Sequence, residues 1–400
     1  MTRAGSVLTQ EIPVVAASSG PVRPWSVMHA TDDVRQVLEL AEAQRGLGMR
    51  PVLVTPAGYG SIELYLRERD EEERSVSLLG TWQEVRQWRK SLGDCGAAAA
   101  MEIVHAHCFA AGMSGVRNWP VVVYDLSDFV EQDAEADQQW LARSLRVAEQ
   151  FVLARAEAVV VHRTSQRAKA LERGAPAEHL FVVPEALPRE DAPTTGGRDR
   201  LGPASDPVEL YAAEVMPEEL DALLSALVQI VAEVPETKVL LPESGEAAAS
   251  LREKLAAAGV SARAVPGAQH HAVLRSADVV LCAAASGDEP NDAMLLAMRQ
   301  GRAVLAADGA ANRDISPDGR GCLWYKPGNA RDLANRGAFL ARNADFRRSL
   351  GDAARAFLEE TRSPEAVARR YDAVYRHAFA RRGDDPREWK GRFEPLTAML

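Results

Sequence analysis

Short apolar runs alternate along most of the chain with longer segments whose apolar residues recur at helical spacing. Residues 277–308, ADVVLCAAASGDEPNDAMLLAMRQGRAVLAAD, show the unit most clearly. Residues 279–285 predict a buried strand, because β-branched valines pack well on a pleated surface. A polar loop follows over residues 286–291. Met294, Leu295 and Met298 then recur at helical spacing, with Gly301 placed where a helix ends. Leu296, beside these residues, is expected in the same core. Residues 303–307 begin the next strand, completing one strand–helix–strand unit of a parallel sheet. Ligands of such sheets bind beyond the carboxyl ends of strands. The loop carrying Asp288, Glu289, Pro290 and Asn291 is therefore the first expected site.

The same alternation predicts two α/β domains. In the first, strands are expected at residues 25–30, 51–55, 102–107, 120–126, 156–161 and 179–184. Asp32 and Asp33 can start a helix, since short acids satisfy its free N–H groups. Further helices are expected at 84–92, 138–153 and 165–173. Residues 189–207, rich in Pro, Gly and charge, read as a linker. In the second domain, strands are expected at 208–213, 238–241 and 262–265. Helices are expected within 216–231 and at 247–258, 270–276, 331–340 and 346–361. Ser363 can cap a last helix that has Pro364 in its first turn. The expected division is an arm (1–23), a first domain (24–188), the linker, a second domain (208–362), and a crossover helix with tail (363–400).

Composition narrows the classes. At 46% hydrophobic and 26% charged residues, the chain reads as an ordinary globular protein. A net charge of -10 argues against a nucleic-acid surface. No apolar run approaches the length of a membrane span, and the first residues lack the apolar core of a signal peptide. Cys95, Cys108, Cys282 and Cys322 lack metal-ligand spacing, so free thiols in a reducing cytoplasm are expected. His105 and His107, two apart on a strand, share a side. With no third ligand near in sequence, they read as packing or hydrogen-bonding groups at a strand end. Neither a metal nor a cofactor is expected.

Several of these segments resemble family-4 glycosyltransferases of the GT-B fold. Asp288 matches the family's first donor-site acid, and Ala297, Met298 and Gly301 match the end of that motif. EIVHAH at 102–107 is similar to the family's Asp-Val-Val-His-Ala-His strand, and the order of elements over 25–188 agrees. The resemblance implies two Rossmann-like parallel-sheet domains facing across a cleft. It also implies sugar transfer, without a metal, from a nucleotide sugar to a glycan or lipid-linked acceptor. The expected location is cytoplasmic, with the inner membrane face as the place to meet a lipid-linked acceptor.

The departures from the family pattern are as informative. Asp32 and Asp33 stand at its glycine pair, Tyr124 at its histidine, and Glu185 with Ala186 at its Asn-Gly. Glu214 and Glu219 stand at its phosphate-binding arginine and lysine, and Leu296 at its ribose-binding glutamate. Unit charges 4 Å apart interact by about 4 kcal/mol at an effective dielectric near 20, so two reversed charges oppose a diphosphate. The same acids are ordinary caps and first-turn residues. Three readings stay open: an active glycosyltransferase, a catalytically silent binding or scaffold subunit that partners another glycosyltransferase, or a GT-B enzyme with a different and less anionic substrate.

Overall fold

A computed structural model describes residues 22–56, 58–60, 78–99, 101–127, 129, 139–187, 207–284 and 291–381. The chain divides into two compact units, Met1–Arg189 with Arg362–Leu400, and Glu190–Thr361.

In the first unit the strands are β1 (Ser26–Ala30), β2 (Arg50–Thr55), β3 (Gly58–Gly60), β4 (Ile103–Ala106), β5 (Val122–Asp125), β6 (Ala158–Val161) and β7 (Leu180–Val182). They form one sheet in the order β3-β2-β1-β4-β5-β6-β7. Its pairs are parallel except for the antiparallel edge pair β2–β3. The helices are α1 (Val34–Gly46), α2 (Leu78–Ala99), α3 (Phe109–Asn118), α4 (Gln139–Arg155) and α5 (Thr164–Glu172), with a closing helix, Pro364–Arg381, from the end of the chain.

Strand alternation sorts the side chains onto two faces. Met28, Val104, Val122, Tyr124 and Val159 enter the core that holds Trp88, Met113 and Val152. Val27, Ile103, Val123 and Val160 enter the opposite core, with Tyr371, Val374 and Tyr375 of the closing helix. By the same period, His29, His105 and Asp125 share the closing-helix face. Strand order reverses between β1 and β4, where His29 pairs in register with His105. Such a reversal opens a crevice beyond the strand ends, the usual place for a ligand in an open α/β sheet.

The second unit repeats the topology with β8 (Glu209–Ala212), β9 (Lys238–Pro242), β10 (Ala262–Val265), β11 (Val279–Cys282), β12 (Ala303–Ala307) and β13 (Cys322–Tyr325), in the order β10-β9-β8-β11-β12-β13. Every pair is parallel. Its helices are α6 (Leu220–Glu233), α7 (Glu246–Ala257), α8 (His270–Ser276), α9 (Asp292–Arg299), α10 (Ala310–Ile315), α11 (Ala330–Arg342) and α12 (Ala344–Arg362). Gly301, after α9, adopts φ +63, a conformation that favours glycine. Gly321 has φ +77, and a Cβ there would lie 2.2 Å from the Ala354 backbone, so only glycine lets β13 approach α12.

Two expectations need correction. The apolar run at 279–285 gives a strand that ends at Cys282. Leu296 is half-buried, whereas Ala293, Met294, Ala297 and Met298 are buried. At 3.6 residues per turn, Leu296 points about 200° away from Met294 and Met298, so its apolar neighbours in sequence do not share its face. Elements that the pattern did not predict are β3, α3, α10 and β13. Among the described residues, no helix is long and apolar enough to cross a membrane.

Candidate functional site

The carboxyl ends of β1, β4, β5 and β6 bring His29, His105, His107, Asp125 and His162 into one buried cluster. His29 Nε2 lies 2.7 Å from Gln44 Oε1, an atom that can only accept, so this nitrogen carries the proton. Gln44 Nε2 donates to the Tyr375 hydroxyl at 3.1 Å, and that hydroxyl lies 2.8 Å from His105 Nδ1. His29 Nδ1 lies 3.0 Å from His107 Nε2. Asp125 is the hub. Tyr371 Oη donates to its Oδ2 at 2.6 Å, and His105 Nε2 and His107 Nδ1 each lie 3.4 Å from the same oxygen. The closing helix that supplies both tyrosines is anchored by Trp25, whose indole N–H donates to Asp372 at 2.8 Å.

His162 completes the cluster as a cation. Its Nε2 lies 2.8 Å from Asp125 Oδ1, and its Nδ1 lies 2.9 Å from the Val183 carbonyl oxygen. Both nitrogens face acceptors, which requires a proton on each. Burial opposes that charge, but the Asp125 carboxylate overrides it, with help from Glu185, and the pKa rises to about 9. Burial would raise Asp125, yet the charge of His162 and the three imidazole contacts hold it well below the usual carboxylate range. His105 shows the opposite outcome: burial, then the neighbouring His107, lower it to about 3. His29 is lowered well below its ordinary value for the same reasons.

A cavity of about 280 Å³ opens onto this cluster, lined by His107, Asp125, Ser127, His162, Glu185 and Tyr371 among others. Glu185 is the exposed carboxylate of the set. The cavity thus joins a buried ion pair, a set of hydroxyl and imidazole groups, and one exposed acidic side chain, Glu185.

In the second unit Glu214, just after β8, meets Asn291 at the start of α9 and Asn312 in α10. The Glu214 carboxylate accepts from Asn291 Nδ2 at 2.9 Å and from the Ala284 backbone N–H, while burial raises its pKa. Asn291 Oδ1 caps α9 by accepting from Met294 N at 2.9 Å. Asn312 Oδ1 accepts from Asn291 at 3.2 Å, and Asn312 Nδ2 donates to the Ala284 and Ala307 carbonyls at 2.8 Å each. Glu219 is buried and accepts from Gly328 N at 3.0 Å. Both acids read from the sequence as repelling a phosphate are therefore engaged as ties between loops.

The remaining expected positions fall as follows. Asp32 and Asp33 are exposed just before α1. Asp288 lies outside the described residues. Tyr124 is not in the cluster: it is buried on the opposite face, and its hydroxyl donates to Glu149 at 3.4 Å. Alternation places its neighbour Asp125 at the site instead, a one-residue offset that exchanges faces. The His105–His107 pair does gain a third imidazole, His29. Sequence reading missed His29, Asp125 and His162; each is a polar residue at the end of an apolar strand, and that signal was available.

Residues 34–186 match the family described as "Glycosyl transferase 4-like domain". No curated protein matches the chain. Among solved structures, Anabaena Alr3699/HepE in complex with UDP is similar with TM-score 0.57 and 15% identity, over 87% of this chain and 99% of that one. A glycosyltransferase from Rickettsia africae aligns with TM-score 0.57 and 13% identity, over 89% and 99%. Sucrose-phosphate synthase from Thermosynechococcus elongatus aligns with TM-score 0.53 and 17% identity, over 89% and 100%. The two Rossmann-type sheets and these likenesses give the chain the GT-B fold, and residues 34–186 match a glycosyl transferase 4-like domain.

Proposed function

We propose that this protein transfers a sugar from a nucleotide-sugar donor to a glycan or lipid-linked acceptor. The carrying observation is that the glycosyl transferase 4-like match spans Asp125, His162 and Glu185, the groups that line the cavity of the first unit. The structures of Anabaena Alr3699/HepE hold UDP, UDP with glucose, and UDP-glucose, which supports a nucleotide sugar as donor. In this reading the acceptor enters the cavity of the first unit. Its hydroxyl oxygen bonds to the anomeric carbon as the bond from that carbon to the diphosphate breaks. The nucleoside diphosphate leaves with the electron pair, and Glu185 takes the hydroxyl proton. The donor-side positions assigned are Asp32, Asp33, Asp288 and Asn291, with Glu214 and Glu219 holding their loops. Leu296 offers no hydrogen bond to a ribose. A lipid-linked acceptor would bring the protein to the inner face of a membrane.

The test is a titration with UDP, GDP and their sugars, followed by product analysis with mixed acceptors. Saturable binding of one nucleotide, with transfer, is expected. Glu185→Gln should lower kcat roughly 100-fold or more while leaving donor affinity unchanged. Absence of binding across the panel would contradict transfer and favour a silent scaffold that partners another glycosyltransferase.

A further inference from the structure

We propose that His29, His105 and His107 form a three-nitrogen site for a divalent transition-metal ion of the Zn²⁺ class at the β1–β4 reversal. One nitrogen from each ring lies within 4.8 Å of the other two. His29 Nδ1 and His107 Nε2 are already 3.0 Å apart. Two nitrogens bound to one tetrahedral zinc, at metal–nitrogen bonds of about 2.0–2.1 Å, stand roughly 3.3 Å apart. Closing around an ion therefore needs that pair to open by only a few tenths of an ångström. The His105 and His107 rings, with centroids 4.0 Å apart, must spread further. His107 can turn, because it lies just past the end of β4 at Ala106.

The outer nitrogens carry the stronger argument. A metal-bound histidine is usually oriented by a partner on its second nitrogen. Here Gln44 holds His29 Nε2 at 2.7 Å, Tyr375 holds His105 Nδ1 at 2.8 Å, and Asp125 lies 3.4 Å from His107 Nδ1. That leaves His29 Nδ1, His105 Nε2 and His107 Nε2 as the inward atoms. His105 Nε2 is buried and makes no well-formed hydrogen bond among the described residues, its nearest acceptor being Asp125 Oδ2 at 3.4 Å, so an ion beside it would satisfy it better. Three imidazoles without a bound carboxylate select Zn²⁺ or its transition-metal neighbours over Mg²⁺ or Ca²⁺, which prefer oxygen. His107 also lines the cavity, which gives the site an entry path. The inference stands apart from sugar transfer.

The test uses untagged full-length protein stripped with a chelator. Zn²⁺ is titrated by calorimetry, and Co²⁺ is followed by visible absorption. One equivalent of Zn²⁺ should bind with a Kd below about 1 µM, and Co²⁺ should give the intense spectrum of a four-coordinate site. His107→Gln should weaken binding at least 100-fold. Tyr375→Phe, which removes only an outer partner, should weaken it roughly 10- to 100-fold. Absence of stoichiometric binding by the unmodified protein, or a weak six-coordinate cobalt spectrum, overturns the site. So does an unchanged affinity in whichever variant folds.

Discussion

The two sheets reverse their strand order in the same way, yet the polar groups at the two reversals differ. In the first unit they are ionisable rings around a buried carboxylate, with Asp125 serving as the counter-charge of His162. In the second they are amides and one acid whose pKa burial raises, with Glu214, Asn291 and Asn312 satisfying one another and nearby backbone. A strand-order reversal of the same kind thus supplies the same address for polar side chains. Whether that address stays chargeable or becomes a fixed brace depends on whether the partners are ions or amides. A buried ion pair fails when one partner goes, because the other is left charged and dry. An amide lattice loses only one bond at a time.

The sharpest way to break the contrast is Asp125→Asn, which keeps shape and removes the counter-charge of His162. It should lower stability by ~3 kcal/mol in chemical denaturation. Tyr371→Phe removes one hydroxyl that donates to the same carboxylate and should cost about 2 kcal/mol. The pH dependence follows from His162, whose folded pKa of about 9 lies above its ordinary 6.5. Its contribution is complete below pH 6.5 and is lost as pH rises towards 9. In that window stability should fall by up to about 1.4 kcal/mol per pH unit. The His162→Gln variant should lack this alkaline limb. Smallest of all, Glu214→Gln should change stability by no more than about 1 kcal/mol, since an amide oxygen can still accept from Asn291. A loss as large as that of Asp125→Asn would show that the second reversal depends on charge as well.

Much of the fold was legible because each buried strand is a short apolar run and several helices end at glycine. Gly301 and the strand at Ala303–Ala307 are examples. What escaped was short or weakly patterned. β13 is only CLWY, and α3, FAAGMSGVRN, is rich in small residues that carry little periodicity. The site was legible in part. The shared side of His105 and His107 follows from spacing alone, but His29 joins them only through a register set by the sheet. Tyr124 and Asp125 differ by one position and so by one face, which a motif comparison cannot arbitrate without knowing which core each face meets. Glu214 read as a free charge because its partner Asn291 lies 77 residues away in sequence.

The protonation state of His162 separates a charged first reversal from a merely polar one. Imidazole ¹⁵N chemical shifts of chelator-treated protein, assigned by comparison with His162→Gln, report it directly. At pH 7.5 His162 should carry protons on both nitrogens and lose one only near pH 9. A singly protonated His162 at pH 7.5, titrating near 6.5, would contradict a buried ion pair with Asp125.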